Sequence, residues 1–452
     1  MQPYRRALFL DRYPKINGEK MIEFIKKQPP VRIIALGFAL VIFLGSFLLS
    51  LPISLKEGVE LSYADALYMS VSSVCVTGLA TVDAGSTFSL FGQIVLATLI
   101  QIGGLGVTAV GAGIIMMVGK KMDLKGRNVI REAMNLDSGK RVARFLRNVF
   151  FTTLIIELVG ACASFLVFIR DYSFAKAAWL SIFHSVATFN NSGFDVLGNG
   201  NSLAIYRDDI ALNLITCVLI FLGGVGFLVI REVIAKRFKW KKFSMHTKVV
   251  LSMSAILTVM GTLIIKLTEN ISWLGAFFSS VSTRTAGFAT YSLGKFSNAG
   301  IMAVTILMII GASPGSTGGG IKTTTFFVLL RGMFASATNR SEKAFKYAIP
   351  KDTFRKASAI VLLAVCIIGV SSFAISIFDP HLPLKDVVFE MSSAFGTVGL
   401  STGITPSLSL SSKIISMIVM YIGRLGPLTV ASLWYFSGVE RVRYPEGNIA
   451  IG

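Results

Sequence analysis

Four short segments repeat one chemistry along the 452-residue chain: Val76-Thr77-Gly78-Leu79, Asn191-Ser192-Gly193-Phe194, Thr285-Ala286-Gly287-Phe288 and Thr397-Val398-Gly399-Leu400. The glycines stand 115, 94 and 112 residues apart, and a large apolar residue follows each. Such register marks an internal repeat. The segments hold no nucleophile beside a base and no cluster of metal-binding side chains. What they offer is backbone. Glycine admits positive φ and lets chains approach closely around an axis. A ring of carbonyl oxygens can replace the water shell of a cation such as K⁺. The carbonyls of Val76, Asn191, Thr285 and Thr397, with those of the four glycines, are the expected ion ligands.

Each glycine segment follows a run too short to cross a bilayer: 61–73, 174–188, 272–282 and 384–394. These runs predict half-helices of 11 to 15 residues. Their C-terminal ends, partially negative, would point at the site and favour cations over anions. Non-helical backbone at membrane depth is tolerated only where it is buried in protein or lines a watery cavity. Four such loops in one chain therefore imply one central cavity.

A second motif lies downstream. Gly103-Gly104-Leu105-Gly106, Gly223-Gly224-Val225-Gly226 and Gly423-Arg424-Leu425-Gly426 follow the first, second and fourth glycine segments. The third repeat instead carries Gly311-Ala312-Ser313-Pro314-Gly315-Ser316-Thr317-Gly318-Gly319-Gly320, then Ile321-Lys322. Its five glycines and one proline cannot hold a helix, since each glycine costs about 1 kcal/mol and a proline about 3. It lacks the ending of a phosphate-binding loop, so a movable loop beneath the carbonyl ring is the expectation. A charge inside a span is a functional hypothesis by default. Arg424 is expected to donate hydrogen bonds to carbonyls of the 311–320 loop and to raise a barrier to cations.

The elements that must position these residues follow from composition. Hydrophobic residues make up 53% of the chain and charged ones only 15%, against about 25% in soluble domains. Mean hydropathy is +0.69. Soluble, disordered and disulfide-rich classes are excluded, and a polytopic membrane protein remains. Runs of roughly 20 apolar residues can span a bilayer, and eight are found: 32–51, 87–118, 145–169, 211–230, 248–267, 300–330, 356–378 and 411–436. The net charge of +20 is uneven. Segments 1–32, 120–147, 231–248, 331–356 and 437–452 hold 33 of the 44 Lys and Arg, and the alternate segments hold eight. This bias places both termini in the cytoplasm. Spread over every cytoplasmic loop, the charge suits anionic lipid and a cytoplasmic partner rather than nucleic acid.

The expected fold is an all-α polytopic membrane protein. Four pseudo-symmetric repeats of span, half-helix, loop and span surround one pore, giving eight transmembrane helices and four re-entrant half-helices. The divisions are a cytoplasmic segment 1–31, repeats 32–119, 120–236, 237–340 and 341–436, and a tail 437–452. Arg284 and Glu390 are expected to pair behind the ring. Asp83 and Asp195 would concentrate cations at the mouth. His184 is expected to be a satisfied core histidine, and Glu157 has no assigned partner.

The four loops and the broken third repeat resemble the membrane subunit of the bacterial Ktr/Trk potassium-uptake systems, related to plant HKT transporters. The resemblance covers nearly the whole chain and is strongest to KtrB-type subunits. Thr397-Val398-Gly399 also matches the start of the TVGYG loop of potassium channels. The resemblance implies K⁺ uptake through a single-chain pore in the bacterial inner membrane. It implies a selectivity filter at 76–78, 191–193, 285–287 and 397–399, and an intramembrane gate at 311–320. It implies a homodimer on a cytoplasmic ring of nucleotide-binding RCK subunits, with Na⁺ a second candidate ion and no organic cofactor. A secondary carrier for a small solute, coupled to Na⁺ or H⁺, is the alternative. Carriers mostly show two repeats, and nothing suggests an enzyme.

Overall fold

The computed structural model describes residues 28–107, 109–112, 142–198, 200 and 202–431. The basic segments 1–27 and 113–141 and the tail 437–452 lie outside the described residues. The fold is helical apart from a two-stranded hairpin, β1 (Lys343–Ala344) and β2 (Tyr347–Ala348), which the sequence did not announce.

One element order recurs four times. A long helix comes first: α1 (Pro30–Ser50), α4 (Val142–Phe168), α8 (Met245–Thr268) and α12 (Lys351–Phe378). A short helix packs on it: α2 (Tyr63–Val74), α5 (Phe174–Phe189), α9 (Trp273–Ser282) and α13 (Leu384–Gly396). A loop with its glycine follows, then a helix ending at a break: α3 (Leu90–Leu105), α6 (Ile210–Val225), α10 (Asn298–Ile309) and α14 (Leu410–Leu425). Beyond the breaks run α7 (Phe227–Ala235), α11 (Thr323–Thr338) and α15 (Pro427–Ala431).

Local chemistry sets these starts. Ser62, Ser89, Asp209, Ser244, Ser272, Ser297 and Ser409 each precede a helix and accept a first-turn N–H through the side chain. Each such cap contributes about 1 kcal/mol.

Four described helices are long and apolar enough to cross a membrane: Pro30–Ser50, Ala143–Phe168, Met245–Thr268 and Asp352–Phe378. Their outward faces are apolar, with Leu158 62% and Phe373 70% exposed. An apolar face turned away from the core fits lipid, and the chain is a multi-pass membrane protein. Three of the remaining expected spans depart from the sequence reading. The runs 87–118, 211–230 and 411–436 are not continuous helices. They stop at Gly106, Gly226 and Gly426, whose φ values are 89°, 92° and 91°. Counting the bent pair α6–α7 gives five spans, with 98° between its halves. The run 300–330 is broken at the expected glycine-rich segment, stopping at Ile309 and resuming at Thr323. A left-handed glycine ends the i to i−4 ladder, which hydropathy alone does not register.

Within each of three repeats the helices interlock through backbone. A Cβ on Gly103, Gly223 or Gly423 would fall inside the carbonyls of Val74, Phe189 and Phe395, at the ends of α2, α5 and α13. Small residues at these places let the helices approach more closely than side chains allow. The fourth repeat closes onto the first. Lys413 Nζ lies 2.7 Å from Asp65 Oδ1, Tyr68 and Ser416 hydroxyls are 3.0 Å apart, and Tyr421 donates to Ala35 O at 2.6 Å. Gly223→Ala should lower the melting temperature of the purified protein in detergent, by an overpacking cost of about 1–3 kcal/mol. An unchanged melting temperature would contradict the close approach.

Candidate functional site

The four loops meet. A Cβ on Gly193 would stand 2.9 Å from Gly287 Cα. One on Gly78 would fall inside Ser192 O, one on Gly287 inside Val398 O, and one on Gly399 inside Thr77 O. Loop one therefore touches two, two touches three, three touches four, and four touches one. The contacts are backbone on backbone, so no residue with a side chain fits at the four glycines.

Their dihedrals agree. The glycines have φ of 96°, 70°, 80° and 93°, and Val76, Asn191, Thr285 and Thr397, each two residues earlier, have φ of 55°, 60°, 75° and 48°. A non-glycine residue with positive φ is uncommon, and a β-branched one is an outlier. Three of these four are Val or Thr. Strain of this kind persists only where the surroundings over-determine it. Here they do, because the side chains of Val76, Thr77, Asn191, Ser192, Thr285, Ala286, Thr397 and Val398 are fully buried behind the ring.

On one side of the ring lies an open cavity of about 460 Å³. The four glycines floor it, and Asp83 and Asp195 stand in its wall. Asp83 accepts from Gly85 N–H and the Ser86 hydroxyl, and Asp195 accepts from Leu197 N–H at 3.1 Å. Burial, with repulsion from Asp83, pushes the Asp195 carboxyl up to about 6, against the pull of Leu197 N–H.

On the other side lies the glycine-rich loop. The Ile310–Ile321 bridge closes it, with Gly311 N–H donating to Ile321 O at 2.8 Å. Its backbone is held from several repeats. Ser313 N–H donates to Gly224 O at 3.0 Å, Phe227 N–H to Gly315 O at 3.1 Å, and Gly319 N–H to Thr397 Oγ1 at 2.9 Å. A Cβ on Gly318 would overlap Thr285 Oγ1, so the loop presses on the underside of the ring. Ala312 is buried in the loop, and Ser316 Oγ donates to Ser313 O at 2.6 Å, tightening the turn through Pro314. Lys322 Nζ donates to Gly318 O at 2.6 Å. Arg424 donates to Thr317 O, Gly103 O and Gly104 O. One guanidinium thus joins the loop to the first repeat's α3 and its own α14. The planar fork suits this better than a lysine's single point of charge.

Other expectations fare differently. Arg284 and Glu390 do not pair. Arg284 donates to Ser254 O, Ser254 Oγ and Thr258 Oγ1 on α8, while Glu390 accepts from the Thr405 hydroxyl. Each sits on a different repeat and finds local partners first. Glu157 accepts from Gln101 Nε2 at 3.3 Å and Asn190 Nδ2 at 3.1 Å. His184 packs edge-on to Phe168 and Phe288, with Nε2 3.0 Å from Thr216 Oγ1. Sequence reasoning missed Ser72 and Ser393, whose hydroxyls accept from Gly78 N–H at 3.0 Å and Gly399 N–H at 3.1 Å. Their shared position, six residues before the glycine, was the available signal. Among the described residues no group of three or more His, Cys, Asp or Glu could hold a metal.

Comparison with known proteins follows the same geometry. The family described as "TrkH: Cation transport protein" matches residues 31–269 and 246–435. The "Ktr system potassium uptake protein B" of Bacillus subtilis is 36% identical, over 97% of this chain and 100% of its own length. The "Potassium/sodium uptake protein NtpJ" of Enterococcus hirae is 35% identical, over 94% of this chain and 98% of its own. The crystal structure of the potassium transporter TrkH from Vibrio parahaemolyticus shares the fold, with a TM-score of 0.71 at 18% identity, over 90% of this chain and 86% of that one. The chain therefore belongs to the TrkH-type cation transport proteins, the Ktr/Trk family, and is of the KtrB type among its membrane subunits.

Proposed function

We propose that the chain is the pore of a potassium-uptake system, and that K⁺ crosses the membrane through the ring of Gly78, Gly193, Gly287 and Gly399. The observation that carries this reading is the left-handed backbone at every second position of all four loops. In an extended chain successive carbonyls point to opposite sides. Left-handed residues at alternate positions turn them to one side, where they can replace ion hydration. The names of the relatives support the ion: one is a potassium and one a potassium/sodium uptake protein. Only the fourth loop has the Thr-Val-Gly of a potassium channel, so Na⁺ is the expected competitor.

In this reading the repeats are 32–119, 120–236, 237–340 and 341–436, with eight membrane crossings in all. The helices broken at Gly106, Gly226 and Gly426 and the pair around the 310–322 loop supply the four inner crossings. The lysine and arginine bias puts both termini inside a bacterial inner membrane, and the cavity bearing Asp83 and Asp195 outside. Residues 311–320 form the gate, with Lys322 and Arg424 adding positive charge to the path below the ring. Opening requires the loop to leave Thr317 and Gly319 contacts it now makes. A homodimer seated on a cytoplasmic nucleotide-binding ring is the expected assembly, and would supply the force.

Three outcomes test this. Expression in a strain lacking potassium uptake should confer Rb⁺ and K⁺ accumulation, and Gly399→Ser should lower the K⁺ over Na⁺ preference; an unchanged ratio sinks the filter. Arg424→Ala should raise cation flux at normal expression, because it frees the loop and removes a barrier charge, and flux at or below the wild-type level counts against that role. In proteoliposomes at limiting K⁺, uptake should rise as external pH goes from about 5 to about 7, since the raised Asp195 carboxyl gains its charge across that window. Asp195→Asn should flatten the rise, and an identical profile in the variant would remove Asp195 from the mouth.

A further inference from the structure

The residue just before each left-handed turn is Cys75, Asn190, Arg284 or Gly396. In loops two and three it reaches away from the ring. Asn190 Nδ2 donates to Glu157 Oε1 at 3.1 Å and to Gln101 Oε1 at 2.7 Å, and Gln101 Nε2 donates to Glu157 Oε2 at 3.3 Å. Arg284 Nη1 donates to Ser254 O at 2.9 Å and Thr258 Oγ1 at 3.3 Å. Glu157 and Thr258 hold matching places. Each lies three residues before a glycine, Gly160 or Gly261, and each carbonyl accepts from a short-helix serine, Ser185 at 2.6 Å and Ser280 at 2.8 Å. Loops one and four lack such a reach, since Cys75 and Gly396 have no donor for it. There the hydroxyls of Ser72 and Ser393, in the last turns of α2 and α13, hold the glycine N–H. At that place loop two has Ala187 and loop three Val281, neither with a hydroxyl; Ser282, one residue further on, donates to Phe288 O at 2.5 Å.

We propose that Glu157, acting through Asn190, is a strut that positions loop two, as Arg284 on Ser254 and Thr258 positions loop three, and that Glu157 is thereby a specificity-determining residue of the pore. The inference rests on the potassium-pore reading above. A carboxylate inside an apolar span is costly without partners. The helix itself does not need one here, because α4 packs through Gly160 and Ser185 regardless. What the carboxylate adds is a fixed place for Asn190, whose neighbour Asn191 is the left-handed residue of the ring. The same side chain abuts Gly104, whose carbonyl accepts from Arg424 at 3.2 Å. Glu157 therefore braces the second loop against the helix that anchors the gate loop. Carbonyls set off register by a few tenths of an ångström bind K⁺ and Na⁺ less unequally, so displacement should show in discrimination before it shows in folding.

The test is K⁺ uptake by the full-length protein in a strain lacking potassium uptake, read as KM for K⁺ and inhibition by Na⁺, with the melting temperature of each purified variant. Glu157→Leu should lower K⁺ over Na⁺ preference about three- to tenfold, the worth of one lost hydrogen bond. Glu157→Gln, which keeps one oxygen to accept from Asn190 Nδ2 but turns its NH2 toward Gln101, should restore part of it. Combining Glu157→Leu with Asn190→Ala should lower preference no further than either change alone, as expected for one shared path. If Glu157→Leu does not fold, Gln101→Leu and Asn190→Ala carry the test with the same expected direction. Unchanged preference in a folded variant, whatever its uptake rate, overturns the proposal, as does a Glu157→Gln variant as impaired as Glu157→Leu. Wild-type protein that accumulates neither Rb⁺ nor K⁺ would instead sink the underlying reading and is thereby told apart.

Discussion

A backbone carbonyl held free inside a membrane must be denied every protein donor, yet its chain must not move. That constraint governs this molecule. Helices satisfy their own backbone, and a loop does not. The four glycine loops are therefore fixed from several sides. Glycines in backbone contact hold them to each other. Fully buried side chains at Thr77, Ser192, Ala286 and Val398 hold them from behind. Serine hydroxyls hold the first and fourth loops, and Asn190 and Arg284 beside the second and third loops bond to partners away from the ring. The left-handed Val and Thr residues show how firmly the surroundings decide, because isolated peptides would avoid that conformation.

The same constraint shapes the far side of the ring. The 310–322 loop also exposes backbone at depth, and it is satisfied by neighbours from two other repeats: Gly224 O from the second, and Thr397 Oγ1 and the Arg424 guanidinium from the fourth. The loop is packed closely as well: a Cβ on Gly318 would overlap Thr285 Oγ1, and one on Gly319 would overlap Thr397 Oγ1. It bears on the ring through both contact and hydrogen bonds.

Much of the arrangement was legible in the chain. The four glycines, the short helices before them and the break in the third repeat are patterns of residue type, and residue type is what hydropathy and propensity report. Arg424 was legible too, because it replaces the glycine found at Gly104 and Gly224. The pairing expected between Arg284 and Glu390 was not. Opposite charges in an apolar chain suggest a pair, but each bonds instead to nearby hydroxyls or a carbonyl of its own repeat. The ends of the inner helices were also misjudged. Gly106, Gly226 and Gly426 stand in apolar runs, and nothing in composition says which glycine turns left-handed.

By itself, then, the sequence determined the class, the fourfold repeat and the uneven placing of charge along the chain, since these follow from hydrophobicity and spacing summed over many residues. The tertiary structure decided which loop touches which, where the helices break and which partner each buried polar group takes. Those depend on distances of a few ångströms between segments roughly a hundred residues apart. Glu157 marks the boundary: the chain announces a carboxylate in a span, and only the packing of α3, α4 and α5 brings Gln101 and Asn190 to it.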